Sequence, residues 1–286
     1  MRGVAHLGFT LVLAALGPAG AAAQDFEGTV TIQRMTADEA AVRETLGSSP
    51  DEEIEPETLF AVPLHRLADL AGRMDQDIGI ERFVYSIKGT TIRVNAVGEG
   101  AEESYALMDY DTGTLRLVQP LEKIYIEWGK DDLEALRSML PAPEKDKQAG
   151  AGATVRSLGK KREINGMACE AYRIEWDGVV ARAWTTRALG DLGEAFKEFE
   201  ERMAMLEVID PEADEPEIVI LVADKGFPVL EQTLRRKRGA DLQYETSEII
   251  SVERKRLSSD LFEVPEGFEK RGLLEMLRGK GEAGGG

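Results

Sequence analysis

From Phe26 the positions Phe26, Gly28, Val30 and Ile32 alternate with Glu27, Thr29, Thr31 and Gln33, the period-two pattern of a strand that buries one face. The alternation stops over 36–80, a stretch rich in Ala, Glu, Asp and Pro. It reads as an acidic insertion with two short helices, 37–46 and 63–74, the second opening on a proline where a missing amide costs least. Between them the run Asp51, Glu52, Glu53, Glu55 and Glu57 reads as a solvated loop.

Strand patterning resumes with Phe83, Tyr85 and Ile87, a turn at Lys88-Gly89, and Ile92, Val94 and Ala96. Further strands are predicted over 105–110, 115–118 and 123–128, with a turn at Asp111-Thr112-Gly113. Four or five antiparallel strands thus follow one another on short connections. A short helix over 133–140 and a flexible linker over 141–153 come next, the linker built from Pro, Ala, Gly and charged residues. In the second half, strands over 155–158, 169–176 and 179–185 are joined by turns at Asn165-Gly166 and Asp177-Gly178, dipeptides that supply the positive φ of tight hairpins. Leu189, Leu192, Phe196, Phe199, Met203 and Leu206 recur at spacings of three and four, which predicts one long amphipathic helix over 189–206. Strands over 218–222, 227–234, 242–251 and 262–264 complete the pattern. The expected architecture is α+β, mainly β: an antiparallel sheet packed on that single long helix, in one β-rich domain over 24–270 with a mobile tail at 271–286.

Ahead of this domain, Arg2, an apolar run over 7–16, a Gly17-Pro18 break and the small residues Ala21 and Ala23 form the pattern of a signal peptide, 1–23, cleaved after Ala23. The expected location is periplasmic or extracellular. The apolar run is short of the roughly 20 residues that span a bilayer, and no later segment reaches that length without charges, so no transmembrane anchor is predicted. Gln24 rather than a cysteine follows the cleavage point, which argues against a lipid anchor.

Charge and composition remove several function classes. With 35 basic against 53 acidic residues and a net charge of −18, the chain repels polyanions, and a nucleic-acid role is not expected. The basic clusters Lys160-Lys161-Arg162, Arg235-Arg236-Lys237-Arg238 and Arg254-Lys255-Arg256 read as solvated strand ends or guards on sheet edges. Removal of the leader takes His6 with it and leaves His65 as the one imidazole and Cys169 as the one thiol. One cysteine closes no intramolecular disulfide, and Cys169 reads as a buried small hydrophobe. A histidine-based triad, a zinc site with Cys and His ligands, and the common nucleotide and hydrolase motifs are absent. Asp109 and Asp111 begin something like a calcium loop, but its twelfth position is Pro120, and a hairpin turn accounts for them better. No catalytic residue, metal ligand or cofactor site is therefore assigned. The aromatic residues Tyr125, Trp128, Tyr172, Trp176 and Trp184 all fall on predicted strands in mid-domain. They are the candidate ligand-binding residues, an apolar surface for a lipid, with sheet core as the plainer reading.

This order of elements resembles the exported bacterial proteins grouped as domain of unknown function 4412. The likeness rests on Phe83-Val84-Tyr85-Ser86-Ile87-Lys88-Gly89 with Ile92-Arg93, on the turn region 108–117 followed by Lys123-Ile124-Tyr125, and on Ile164-Asn165-Gly166-Met167-Ala168-Cys169-Glu170-Ala171-Tyr172. It extends to the strand 180–186 containing Trp184 and the closing Leu261-Phe262-Glu263-Val264-Pro265-Glu266-Gly267-Phe268. The insertion after the first strand and the linker depart from the pattern. The group has no assigned activity; the resemblance implies an architecture similar to periplasmic lipoprotein carriers, a curved half-barrel sheet around helices that shelters acyl chains, and it transfers no catalytic residue. The resulting expectation is an exported, non-enzymatic protein binding a lipid or another apolar molecule. An envelope domain that meets a protein partner without a ligand is the alternative, and a carboxylate-based hydrolase the least favoured.

Overall fold

Strand β1 (Glu27–Asp38) is the centre of the molecule: β2 (Ile78–Lys88) pairs with it on one side and β11 (Leu242–Arg254) on the other, both antiparallel. The computed structural model describes residues 26–49, 51–71, 78–98, 104–109, 111–129, 132, 152–193, 218–236 and 242–272. From β2 the chain runs as a meander through β3 (Thr91–Val97), β4 (Tyr105–Asp109), β5 (Thr114–Gln119) and β6 (Ile124–Trp128). A second meander, β7 (Thr154–Ile164), β8 (Met167–Trp176), β9 (Val179–Thr186) and β10 (Phe227–Arg236), leads back to β11. The short β12 (Glu269–Arg271) adds to β6 in parallel, so the order is β12-β6-β5-β4-β3-β2-β1-β11-β10-β9-β8-β7. The two turns with the strongest sequence signals form as read. Asn165 and Gly166 take φ 51° and 78°, Asp177 and Gly178 φ 24° and 80°, the left-handed pair that matches strand twist.

The expected sheet wrapped as a half-barrel on one long helix is overturned. The sheet is a single open layer of twelve strands, and among the described residues no helix exceeds eight residues. Of the helix expected over 189–206, residues 190–193 are helical and 194–206 lie outside the described residues, as do the leader, the helix over 133–140, nearly all of the linker and nearly all of the tail. Part of the cover comes instead from the segment read as an insertion. It holds α1 (Glu39–Leu46), α2 (Pro56–Phe60) and α3 (Leu64–Ala71), whose Ala41, Val42, Leu59, Phe60 and Leu67 pack on Met35, Ala37, Leu234 and Tyr244 of the sheet.

The local chemistry explains these helices. Asp38 Oδ1 accepts from the Ala41 amide at 2.9 Å and caps α1, while Gly47, at φ 67°, closes it. Proline at the first position starts α2. The stretch 218–222, read as a strand, is the helical turn α4 (Ile218–Leu221), with the Val222 amide donating to Ile218 O at 3.0 Å. A short run of β-branched residues fits either state until its neighbours are known. The strand expected over 262–264 does not form either: a 3₁₀ turn, Ser259–Phe262, ends at its first residue, and Glu263 and Val264 are irregular. Among the described residues no helix is long and apolar enough to cross a membrane.

Candidate functional site

Register places apolar side chains in rows across the first meander. Ile87, Ile92, Met108, Leu115 and Trp128 stand opposite one another from β2 to β6, and Val30, Tyr85, Val94, Ala106, Leu117 and Ile126 do so from β1 to β6. Apart from Leu117 and Ile126, these residues belong to one apolar cluster that continues through Ile32 and Ile249 to Leu230, Trp184, Ala171 and Ile164. Half-buried Phe83, Tyr85, Leu115, Leu158 and Met167 fringe it.

Trp184, only 5% exposed, is the member of this cluster that two arginines approach, Arg162 and Arg182. It stands between Ala171 of β8 and Leu230 of β10, and the same row reaches Glu248 of β11 and Gln33 of β1. The end of the β7–β8 hairpin folds toward it. The register of β7 slips between Ser157 and Lys161, and Gly159 in that slip takes φ 64°, a bulge that bends the strand. Beyond the bend Asn165 Nδ2 donates to Glu248 Oε1 at 3.1 Å and to Ile249 O at 2.6 Å. Those partners are on β11, although β9 and β10 separate it from β8 in the sheet. The same bend lays the Arg162 guanidinium over the Trp184 ring, 4.1 Å from its centroid, with Arg182 at 5.9 Å. Burial lowers the pKa of Arg162, with Glu248 opposing. The indole nitrogens of Trp128, Trp176 and Trp184 are buried and have no hydrogen-bond partner.

Beside Trp184 a second arginine fastens the helical segment to the sheet. Arg182 Nε and Nη2 donate to Gln232 Oε1, Nη2 also donates to Phe60 O, and Nη1 lies 3.7 Å from Glu57 Oε2. Gln232 Nε2 in turn donates to Phe60 O at 3.2 Å and to Tyr244 Oη at 2.9 Å. Burial pushes the Tyr244 hydroxyl up to about 12. Glu57 also pairs with Arg173 at 3.0 Å, and Glu53 with Arg236 at 3.0 Å. Glu53 and Glu57 thus pair with strand arginines, while Asp51, Glu52, Glu53 and Glu55 stay exposed in the loop ahead of α2, as read from the sequence. Every member of this buried network has a partner, which identifies it as a structural fastening.

The five aromatic residues singled out from the sequence do not converge. Trp128 and Trp184 share the large cluster at distant strands. Tyr172 and Trp176 belong to a separate cluster with Ile174, Ala181, Ala183 and Val222, and Tyr125 packs with Tyr105, Leu107, Val118 and Phe268. Tyr172 stands opposite Ala183 and Ala171 opposite Trp184, so Tyr172 and Trp184 occupy opposite faces of the sheet. Trp176 borders a surface cavity of about 540 Å³ shared with Ile54, Val180, Leu234 and Arg236. Sequence reasoning missed Arg162, placed with the edge-guarding cations, and the signal for it was Gly159 inside a strand-like stretch. Among the described residues no group of three His, Cys, Asp or Glu could hold a metal ion. His65 on α3 is exposed, and Cys169 is buried, as read from the sequence.

The family profile described as Domain of unknown function (DUF4412) matches residues 70–268. No curated protein matches the chain. Among solved structures, PNGF-II in space groups C2 and P21 is 11% and 10% identical over 88% of this chain, with TM-scores of 0.32 and 0.33. The chain spans about a third of the length of that protein, 32% and 33% in the two crystal forms. A superposition that loose identifies neither fold nor function.

Proposed function

We propose that this chain, which belongs to the family described as Domain of unknown function (DUF4412), is an exported binding protein that makes and breaks no bonds and holds an apolar molecule, such as an acyl lipid, against the apolar cluster that contains Trp128 and Trp184. The observation that carries this reading is the pair of indole N–H groups buried without acceptors inside one continuous apolar cluster. A buried donor left unmade costs about 1–3 kcal/mol. A mostly apolar ligand with one or two acceptor oxygens would recover that cost while gaining on the order of 25 cal/mol per Å² of apolar surface covered. The half-buried fringe of Phe83, Tyr85, Leu115, Leu158 and Met167 supplies surface for it without dismantling the core. Export is supported by the leader pattern in residues 1–23.

The test is native mass spectrometry with lipid extraction on protein purified from its own host, together with uptake of a fluorescent fatty acid followed by tryptophan emission. A stoichiometric apolar ligand, or saturable uptake that shifts the emission of Trp128 and Trp184, is the expected result. A clean apo species that takes up no fatty acid overturns the reading.

A further inference from the structure

Building on the apolar-ligand reading, we infer that the ligand carries a carboxylate, and that the Arg162 guanidinium with the Trp184 indole N–H forms the site that receives it. Arginines stacked on aromatic rings recur in this protein, and three of them are visibly occupied. Arg93, 3.7 Å over Tyr105, donates to Asn95 Oδ1 and Leu261 O. Arg254, 5.0 Å over Phe26, grips both oxygens of Asp191. Arg182 is consumed by Gln232, Phe60 O and Glu57. Arg162 lies 4.1 Å over Trp184, between Arg93 and Arg254 in closeness, yet among the described residues its guanidinium has neither an ion pair nor a hydrogen-bond acceptor. A guanidinium stays charged in a protein and offers five donors in a planar fork, which suits it to two-point capture of a carboxylate.

The second observation is independent of the first. Trp184 is 95% buried by its 5% exposure, and its Nε1 is an unmet donor located within the ring over which the guanidinium lies. One carboxylate, with two acceptor oxygens, can meet both kinds of donor. The surroundings favour a single negative charge over a dianion. Glu248 is close enough to act on Arg162 through its field, although Oε1 is engaged by Asn165, and Lys161 is already paired with Glu170 at 2.5 Å. A phosphate dianion would face Glu248 with little cationic charge to spare. Leu158 and Met167, half-buried against the cluster on the same hairpin, would flank the start of an apolar tail.

The experiment titrates the full chain with dodecanoate, dodecan-1-ol, acetate and inorganic phosphate, by calorimetry and tryptophan emission, for the wild type, Arg162→Gln and Arg162→Lys. The exposed position of Arg162 near the hairpin end leaves both variants folded, checked by circular dichroism. Dodecanoate is expected to bind at least about tenfold more tightly than dodecan-1-ol, a difference of about 1.4 kcal/mol. Arg162→Gln should abolish that preference without weakening dodecan-1-ol, Arg162→Lys should restore part of it, and acetate and phosphate should not saturate. Equal binding of acid and alcohol, untouched by Arg162→Gln, overturns the headgroup site and leaves the apolar reading standing. Binding of neither removes both. Saturation by phosphate or acetate that depends on Arg162, without either dodecyl probe, marks a free-anion site and overturns the inference.

Discussion

Arg182 and Gln232 face each other across β9 and β10, and the guanidinium donates twice to the same amide oxygen, at 3.0 Å from Nε and 2.6 Å from Nη2. Both side chains are almost fully buried. Because each then reaches Phe60 O, the pair is the joint between the sheet and α2. Arg182→Ala strands the buried Gln232 oxygen and leaves the Phe60 carbonyl with the Gln232 amide as its remaining donor, so a loss of about 3 kcal/mol is expected. Glu57→Gln touches the same joint from a side chain 43% exposed, where solvent screens the pair, and should cost less than about 1 kcal/mol. Urea denaturation of the two variants checks this; equal losses would contradict the joint.

Leu59 of α2 is 0% exposed and packs in the cluster with Met35, Leu234 and Tyr244. If the segment 39–71 is part of the core, Leu59→Ala should cost about 2–5 kcal/mol, as much as Ile174→Ala at a fully buried position of β8. Glu55→Ala, at an exposed position of the same segment, should stay within about 0.5 kcal/mol. A detachable insertion would instead leave global stability unchanged by Leu59→Ala, which denaturation midpoints would reveal.

Cys169 is 2% exposed, its Sγ lies 3.3 Å from Met167 O, and burial pushes its thiol up, with Arg162 opposing. Reaction with an aromatic disulfide reagent needs an accessible thiolate. At pH 8 the native protein should therefore show less than about a tenth of the labelling reached in denaturant over the same time. Full labelling of the native protein would place Cys169 at the surface.

The meander β2–β6 was legible because each strand alternates on its own, as with Ile92 and Val94, and its partners are its immediate neighbours in sequence. The turns at Asn165-Gly166 and Asp177-Gly178 were legible because their backbone angles belong to those residue types. Helix α2 was not. Glu57 on it and Glu53 in the loop ahead of it show no partner until Arg173, 116 residues from Glu57, and Arg236, 183 residues from Glu53, come opposite them. The helical turn at 218–222 was misread because an apolar run of five has no period to count. At the candidate site, Trp184 stood out as an aromatic residue on a strand. Arg162 looked like one of three edge cations, since its place over the indole depends on the bend at Gly159, and that bend follows from the register of a hairpin rather than from local pattern.

Glu231 separates two consequences of burial that wild-type behaviour alone would mix. It stands on β10 between Ser247 and Ala183, on the face opposite Trp184. Burial pushes its carboxyl up to about 7 from an ordinary 4.5, with Glu245 adding and Arg34 opposing. In the unfolded chain this group ionises near its ordinary value, whereas in the folded chain it keeps its proton until about pH 7. Between those limits unfolding releases a proton, so its contribution to stability is fully present below pH 4.5 and is lost as pH rises toward 7, on the order of 3 kcal/mol at most. Glu39, lowered by the Leu242 amide and by Arg43, and Asp191, lowered by Arg254, act in the opposite sense and lose their contribution as pH falls. The difference between wild type and Glu231→Gln cancels those groups. Thermal unfolding at pH 4 should show the two proteins within about 0.5 kcal/mol, while at pH 8 the variant should be more stable by about 1–3 kcal/mol, because an amide pays no cost of ionisation. A variant destabilised equally at both pH values would mean that Glu231 holds a specific hydrogen bond as a carboxyl, and that burial alone does not set its proton.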